Sequence, residues 1–228
     1  MFDNFGQQLY TNFIDKSRYI LYLNGLGRSL YITLGALLLG VILGCLVAIV
    51  KVYAKDYKAL KPVSWLCEGY VTLIRGTPMT VQLLIIYYVV FATSHISGII
   101  VCAISLGVYS SGSLMNIFTV HLNQVDRNQH AAAEMLGLTG WKKYRYVILP
   151  QAVKPMLPLI GAECKVLLRA TTFAGYISEL DLVKVTEIIR NQTYDVLIPL
   201  LIVSIIFLIL SHIIVESISV ICNKAFKN

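Results

Sequence analysis

The sequence predicts an all-α membrane protein of five transmembrane helices. Three observations carry that reading: 57% of the 228 residues are apolar, only 14% are charged, and the apolar residues fall in long uninterrupted runs. A mean hydropathy of +0.72 lies far from soluble domains, which disperse their apolar residues through short amphipathic elements. Hydrocarbon offers no partner for backbone polar groups, so a spanning chain must be helical or a closed barrel, and runs of about 20 apolar residues select the helix.

The first span is expected at about 28–51, because Ser29 to Val50 holds no charged side chain. It is not a secretory signal: Asp3 and Asp15 precede it, no basic segment does, and the run exceeds the ~7–15 apolar residues of a signal core. From Gly76 to Val125 the only titratable groups with a basic side chain are His95 and His121. That is too long for one crossing, so it gives a second span at about 64–92 and a third at about 98–119, with Ser94-His95-Ile96-Ser97-Gly98 as the turn between them. A cytoplasmic loop at about 121–146, a fourth span at about 147–170 and a fifth at about 195–216 complete a single membrane domain over 1–228.

Orientation follows from Lys and Arg in short loops, which stay on the cytoplasmic side. Lys51, Lys55, Lys58 and Lys61 follow the first span, Arg127, Lys142, Lys143 and Arg145 lie between the third and fourth, and Lys224 and Lys227 close the chain. The Ser94–Gly98 turn is uncharged, and Glu179 to Asp195 is net acidic. The N-terminus is therefore expected outside and the C-terminus inside. The net charge of +7 reads as topology and lipid contact rather than as a nucleic-acid footprint.

Cys45, Cys67, Cys102, Cys164 and Cys222 are scattered, without Cys-x-x-Cys spacing, which points to packing residues rather than a metal or disulfide framework. His95, His121, His130 and His212 do not stand at ligand spacing from one another, so no metal site and no catalytic constellation is expected.

Polar groups inside spans are costly and mark pathways or contacts. In the second span Glu68, Thr72, Arg75, Met79 and Gln82 fall within a narrow arc at helical spacing, a mostly polar stripe on one face. Gly76-Thr77-Pro78 interrupts it, since Pro78 lacks an N–H and disfavours the α conformation at Thr77. Arg75, Thr77, Pro78 and Gln82 are thus candidates for a solute path or subunit contact, beside the plainer reading of a proline kink with Arg75 reaching the headgroups. In the fourth span Pro150, Pro155 and Pro158 precede Glu163, Lys165 and Arg169. Lys165 and Arg169 share a face and Glu163 points away, so their partners must lie on other elements. Glu163 and Arg169 join the same candidate set.

The longest cytoplasmic loop reads Gln129-His130-Ala131-Ala132-Ala133-Glu134-Met135-Leu136-Gly137-Leu138-Thr139-Gly140-Trp141. Alanines favour helix and Gly137 ends it. The rod offers small side chains for close approach, with Met135, Leu136 and Leu138 as apolar contacts, and suits docking into a soluble partner. Trp141, Lys142, Lys143, Tyr144, Arg145 and Tyr146 just after it are expected to anchor the membrane surface.

Two motifs resemble the permeases of amino-acid ABC importers, and the similarity runs along nearly the whole chain. Leu73-Ile74-Arg75-Gly76-Thr77-Pro78-Met79-Thr80-Val81-Gln82-Leu83 looks like that family's second-helix signature. Ala132-Ala133, Gly137, Leu149 and Pro150 keep the spacing of its cytoplasmic "EAA" loop, followed by Leu138-Thr139-Gly140-Trp141 as in the polar amino-acid branch. The resemblance implies the type I importer permease fold in a bacterial cytoplasmic membrane, and a coupling helix at about 129–137 that contacts the ATPase through Ala131, Ala132, Ala133, Glu134, Leu136, Gly137 and Leu138. It implies as partners a second permease subunit, two cytosolic ABC ATPase subunits and an extracellular or periplasmic solute-binding protein that delivers a polar amino acid. ATP and Mg would be used by the ATPase, and no cofactor would be bound by this chain, which has no Gly-x-x-x-x-Gly-Lys-Ser/Thr loop.

Departures from the pattern fall at Ala131, where the loop's glutamate usually stands, at Asn116, Thr119 and Val120-His121 upstream, and at Arg169-Ala170-Thr171-Thr172. They imply a non-identical partner permease that supplies the missing groups. The rival readings are a stand-alone ion-coupled carrier or channel using Glu163 and Arg169, and a membrane-embedded enzyme. The first lacks an internal repeat, and neither accounts for both motifs.

Overall fold

Long apolar runs without helix-breaking residues fold as long helices. In the computed structural model, which describes residues 5–56 and 58–225, these dominate the chain. Asp3 and Lys227, both named above, lie outside the described residues. The short helix α1 (Phe5–Leu9) and a π-helical turn (Tyr10–Ile14) lead into α2 (Arg18–Asp56). At 39 residues and ~1.5 Å rise each, α2 extends beyond the predicted first span at both ends.

Next come α3 (Lys61–Gly76) and α4 (Met79–Ile85), the latter continued by a π-helical turn over Ile86–Val90. α5 (Gly98–Gln124) begins at the predicted turn. α6 (Arg127–Met135), α7 (Gly140–Lys143) and a π-helical turn (Tyr144–Ile148) form the loop region, followed by α8 (Leu149–Ala170). A 3-10 segment (Thr171–Ile177), α9 (Leu182–Thr193) and α10 (Leu197–Ala225) complete the order.

Among the described residues three helical stretches, Phe5–Ala54, Gly98–Gln124 and Leu197–Val220, are long and apolar enough to cross a membrane. The pair Lys61–Gly76 and Met79–Val90, bent at its break, makes up to four. α8 has the length, at 22 residues, but Lys154, Glu163, Lys165 and Arg169 lower its apolarity.

The expectation of one polar stripe from Glu68 to Gln82 is corrected by the break. Thr77 is extended at φ −110 and ψ 143, because Pro78 excludes the α conformation there. Glu68, Thr72 and Arg75 stay on α3, whereas Met79 and Gln82 begin a new helix. The net-acidic segment from Glu179 to Asp195, expected to face outward, contains the twelve-residue α9.

The chain forms two compact units. One comprises the described parts of Met1–Ala36, with Met79–Leu106 and Cys164–Ile214. Its core includes Tyr22, Leu182, Val185, Ile189 and Val203. Buried Asn12 ties the N-terminal segment to the corner after α9, donating to Asp195 Oδ2 at 2.8 Å and accepting from Thr193 Oγ1 at 2.8 Å. Arg28 pairs with Glu179 at 3.3 Å.

The other unit comprises Leu37–Pro78, Gly107–Glu163 and the described parts of Val215–Asn228. Val52, Leu114, Phe118, Tyr144 and Ile148 are among its buried residues. α2 and α5 approach closely here: a Cβ at Gly44 would stand 2.9 Å from both Leu114 Cβ and Met115 N, and one at Gly40 would overlap Ser110 Oγ. Such contacts need the absent side chain, as small residues do between membrane helices.

Candidate functional site

The segment between α5 and α8 exposes large apolar side chains within a polar stretch, and local rules set its geometry. Asp126 stands just outside the helix at φ −53 and ψ 133, and its carboxylate accepts from Asn128 N at 2.9 Å. This satisfies one of the orphan amides at the start of α6.

The helix stops at Met135. Gly137 N donates to Glu134 O at 2.9 Å and Leu138 N to Ala133 O at 2.9 Å, the paired bonds of a Schellman motif. That motif requires a left-handed residue, and Gly137 supplies it at φ +73, a region that strains any residue with a Cβ. The predicted stop at Gly137 and the predicted rod are both present.

Within the rod, Ala133 is buried, Ala131, Ala132 and Glu134 are exposed, and Leu138 is half-buried. Met135 and Leu136 are 88% and 78% exposed, so two large apolar side chains project from the capped end of a short helix. Lys143 Nζ lies 2.9 Å from Glu134 Oε1 and holds that carboxyl below its ordinary range, fastening the end of α6 to α7. Gln151 Nε2 donates to Gln129 Oε1 at 3.3 Å, which links α6 to α8.

Lys143 and Asp126 were not singled out for these roles in the sequence. The cap had a signal, an Asp just before the alanine-rich run, whereas the ion pair spans nine residues of loop. Tyr144 also departs from expectation. It is buried, with its ring 4.7 Å from that of Tyr53, so it is a core residue. Trp141 and Tyr146 are exposed, as membrane-surface residues would be.

The remaining candidates are spread between the units. Arg75, Thr77, Pro78 and Glu163 belong to the unit that carries α6, and Gln82 and Arg169 to the other. Arg75 is exposed, its stem beside Gly112, where a Cβ would stand 3.1 Å from Arg75 Cγ. Thr77 Oγ1 donates to Leu73 O at 2.9 Å, capping the broken end of α3, and Pro78 is exposed. Gln82 is buried, Glu163 half-buried, and Arg169 exposed with its Nε 3.4 Å from Lys165 O. None of the ion pairs among the described residues involves Arg75, Glu163 or Arg169. Glu68, on the α3 stripe, does have a partner, Lys51 Nζ at 3.5 Å.

Comparison with known proteins bears on what such a rod and such helices serve. The family described as "Binding-protein-dependent transport system inner membrane component" matches residues 27–228. A Rickettsia conorii chain named as a glutamine transport system permease, GlnP, is 32% identical over 180 residues, 77% of this chain and 79% of its own. The arginine transport system permease protein ArtQ of Bacillus subtilis is 28% identical over 193 residues, 82% and 84% of the two chains. The crystal structure of an amino acid ABC transporter with histidines superposes with a TM-score of 0.80 at 30% identity, covering 90% of this chain and 94% of that one.

Proposed function

This chain belongs to the inner-membrane components of binding-protein-dependent transport systems, as a permease subunit of the amino-acid ABC importers, and from that premise we propose how it works. It carries a polar amino acid across the bacterial cytoplasmic membrane as one of two permease subunits, the second homologous and non-identical. A solute-binding protein delivers the amino acid from outside. Two cytosolic ABC ATPase subunits bind ATP and Mg, perform the hydrolysis, and move α6.

The observation that carries this reading is the end of α6. The Asp126 cap, the Gly137 turn and the Glu134–Lys143 pair hold a short rod in one orientation, and Met135 and Leu136 project from it with 88% and 78% exposure. Apolar side chains this exposed on a loop suit burial in a groove of a soluble partner, and a fixed rod transmits displacement. Ala131, Ala132, Ala133, Glu134, Leu136, Gly137 and Leu138 form this coupling element.

Five crossings, with the N-terminus outside, are supported by the long apolar runs and by the Lys- and Arg-rich loops between them, which stay on the cytoplasmic side. The Asn12–Asp195 hydrogen bond joins two segments assigned to the outer side.

Arg75, Thr77, Pro78, Gln82, Glu163 and Arg169 line the solute path or contact the second permease, where charged groups within spans find protein or water. Affinity purification in mild detergent, with mass spectrometry of the eluate, tests the assembly. Co-elution of an ABC ATPase and a second permease is expected. A complex containing this permease alone with the ATPase would refute the non-identical partner, and recovery of the chain by itself would refute the assembly.

A further inference from the structure

A cleft of about 420 Å³ lies beside α6, on the side of its first turn. Val52, Leu122 and Val125 give it an apolar floor, and Arg127, His130 and Lys143 line it with basic groups. Lys143 Nζ is steered by Glu134 at 2.9 Å, and the Asp126 carboxylate is occupied by Asn128 N at 2.9 Å. None of the ion pairs among the described residues involves Arg127. Across residues 123–146 four basic side chains, Arg127, Lys142, Lys143 and Arg145, face two acidic ones, Asp126 and Glu134. Among the described residues that line the cleft none is acidic, and Arg127, His130 and Lys143 make it electropositive.

Its depth follows from the spans. Leu122 comes about one turn after the third span, and Tyr144, also in the lining, about one turn before the fourth. One turn rises ~5.4 Å, which places the cleft in the headgroup layer that flanks ~30 Å of hydrocarbon. The geometry points to a binding site for a phosphate-bearing anion, supplied by an acidic phospholipid of the cytoplasmic leaflet. Its phosphate sits between Arg127 and Lys143 and its glycerol and upper acyl carbons lie on Val52, Leu122 and Val125. Basic pockets between membrane helices on this side recognise lipid headgroups by this combination of charge and apolar surface.

An acidic side chain of the ATPase would use the cations but not the apolar floor. Met135, moreover, lies eight residues from Arg127 along α6, about 12 Å by helical rise, which separates the cleft from the docking end. The cytoplasmic placement rests on the transporter reading above.

The test uses the purified permease–ATPase complex, delipidated in a neutral detergent. It is titrated with phosphatidylglycerol, phosphatidylcholine or inorganic phosphate, and bound species are counted by native mass spectrometry. Retention of phosphatidylglycerol over phosphatidylcholine is expected. Arg127→Gln should weaken it about fivefold, the factor for one basic residue near an anionic surface, and Arg127→Lys should restore most of it. Displacement of the lipid by millimolar phosphate would keep the anion site and overturn the lipid as its source. Equal retention of both lipids, or an Arg127→Gln complex that binds as the unaltered one does, would overturn the site. So would loss of the ATPase from the Arg127→Gln complex before lipid is added, because that would put an ATPase carboxylate in the cleft. The same spectra report whether the unaltered complex contains ATPase subunits, so a failure of the transporter reading is seen separately from the lipid count.

Discussion

Lys143 Nζ stands 2.9 Å from Glu134 Oε1, and this pair joins the capped end of α6 to the short helix α7 that leads toward α8. Its partners differ in exposure, 12% for the lysine side chain and 58% for the glutamate, so Lys143 is largely enclosed and Glu134 faces out.

The pair holds the Glu134 carboxyl below its ordinary value of 4.5, through the hydrogen bond from Lys143 first and its charge second. A depressed folded-state value means that its contribution is present above the ordinary carboxylate range and lost as pH falls through the lowered value. The protection of amides over residues 127–138, taken relative to the intrinsic exchange rate at each pH, should therefore hold at neutral pH and fall on acidification below about 4.5. Glu134→Gln should remove that acid-side change; an unchanged pH profile in this variant would exclude Glu134 as its origin.

Gly137→Val places a β-branched residue at φ +73, where a residue with a Cβ is strained by about 1–2 kcal/mol. The two Schellman hydrogen bonds should open, and amide exchange of Gly137 and Leu138 should accelerate. Gly137→Asn, which tolerates the left-handed region, should keep most of the protection. Equal behaviour of the two variants would show that the turn does not depend on that conformation.

Gly44→Leu forces a side chain against Leu114 and the Met115 backbone, both 2.9 Å from the first added carbon. Overpacking of this kind costs about 1–3 kcal/mol, and thermal unfolding of the detergent-solubilised protein should shift down. Gly69→Ala on α3 is the contrast. Nothing lies within 4 Å of its Cβ position, and alanine favours helix by about 1 kcal/mol, so that variant should be as stable as the unaltered protein or more so.

Asp181 caps α9, accepting from Val183 N at 3.1 Å and Lys184 N at 2.9 Å, and is fully buried. Burial raises its carboxyl above the ordinary 3.8, so its own contribution to stability is greatest below that value and declines as pH rises through the raised one. Asp181→Ala should cost about 1 kcal/mol through loss of the cap. Asp181→Asn keeps the cap without a buried charge and should match or exceed the unaltered protein at neutral pH. An Asn variant as damaged as the Ala variant in thermal unfolding would remove burial of charge from the explanation.

Features governed by local rules were legible in the sequence. The uncharged runs gave α2, α5 and α10, Thr77-Pro78 gave the break after α3, and Gly137 gave the end of α6. α9 was missed because an acidic segment was weighed for its charge, although Asp181 before Leu182, Val185 and Ile189 carries both a cap and helical spacing. The joining of Glu134 to Lys143 and of Asn12 to Asp195 depends on the folded chain path, which neither periodicity nor composition encodes. Tyr144 illustrates the same limit: its neighbours in sequence suit a membrane surface, and only packing against Tyr53 turns it inward.

The central claim is that α6 passes ATP-driven movement to this subunit through its exposed apolar end. It is tested most directly by uptake of a labelled amino acid into proteoliposomes that contain the full importer with ATP inside and the binding protein outside. In the Met135→Glu, Leu136→Glu double variant uptake should be lost, and ATP hydrolysis should no longer rise when loaded binding protein is added. Uptake at the unaltered rate, with hydrolysis still stimulated, would contradict the claim.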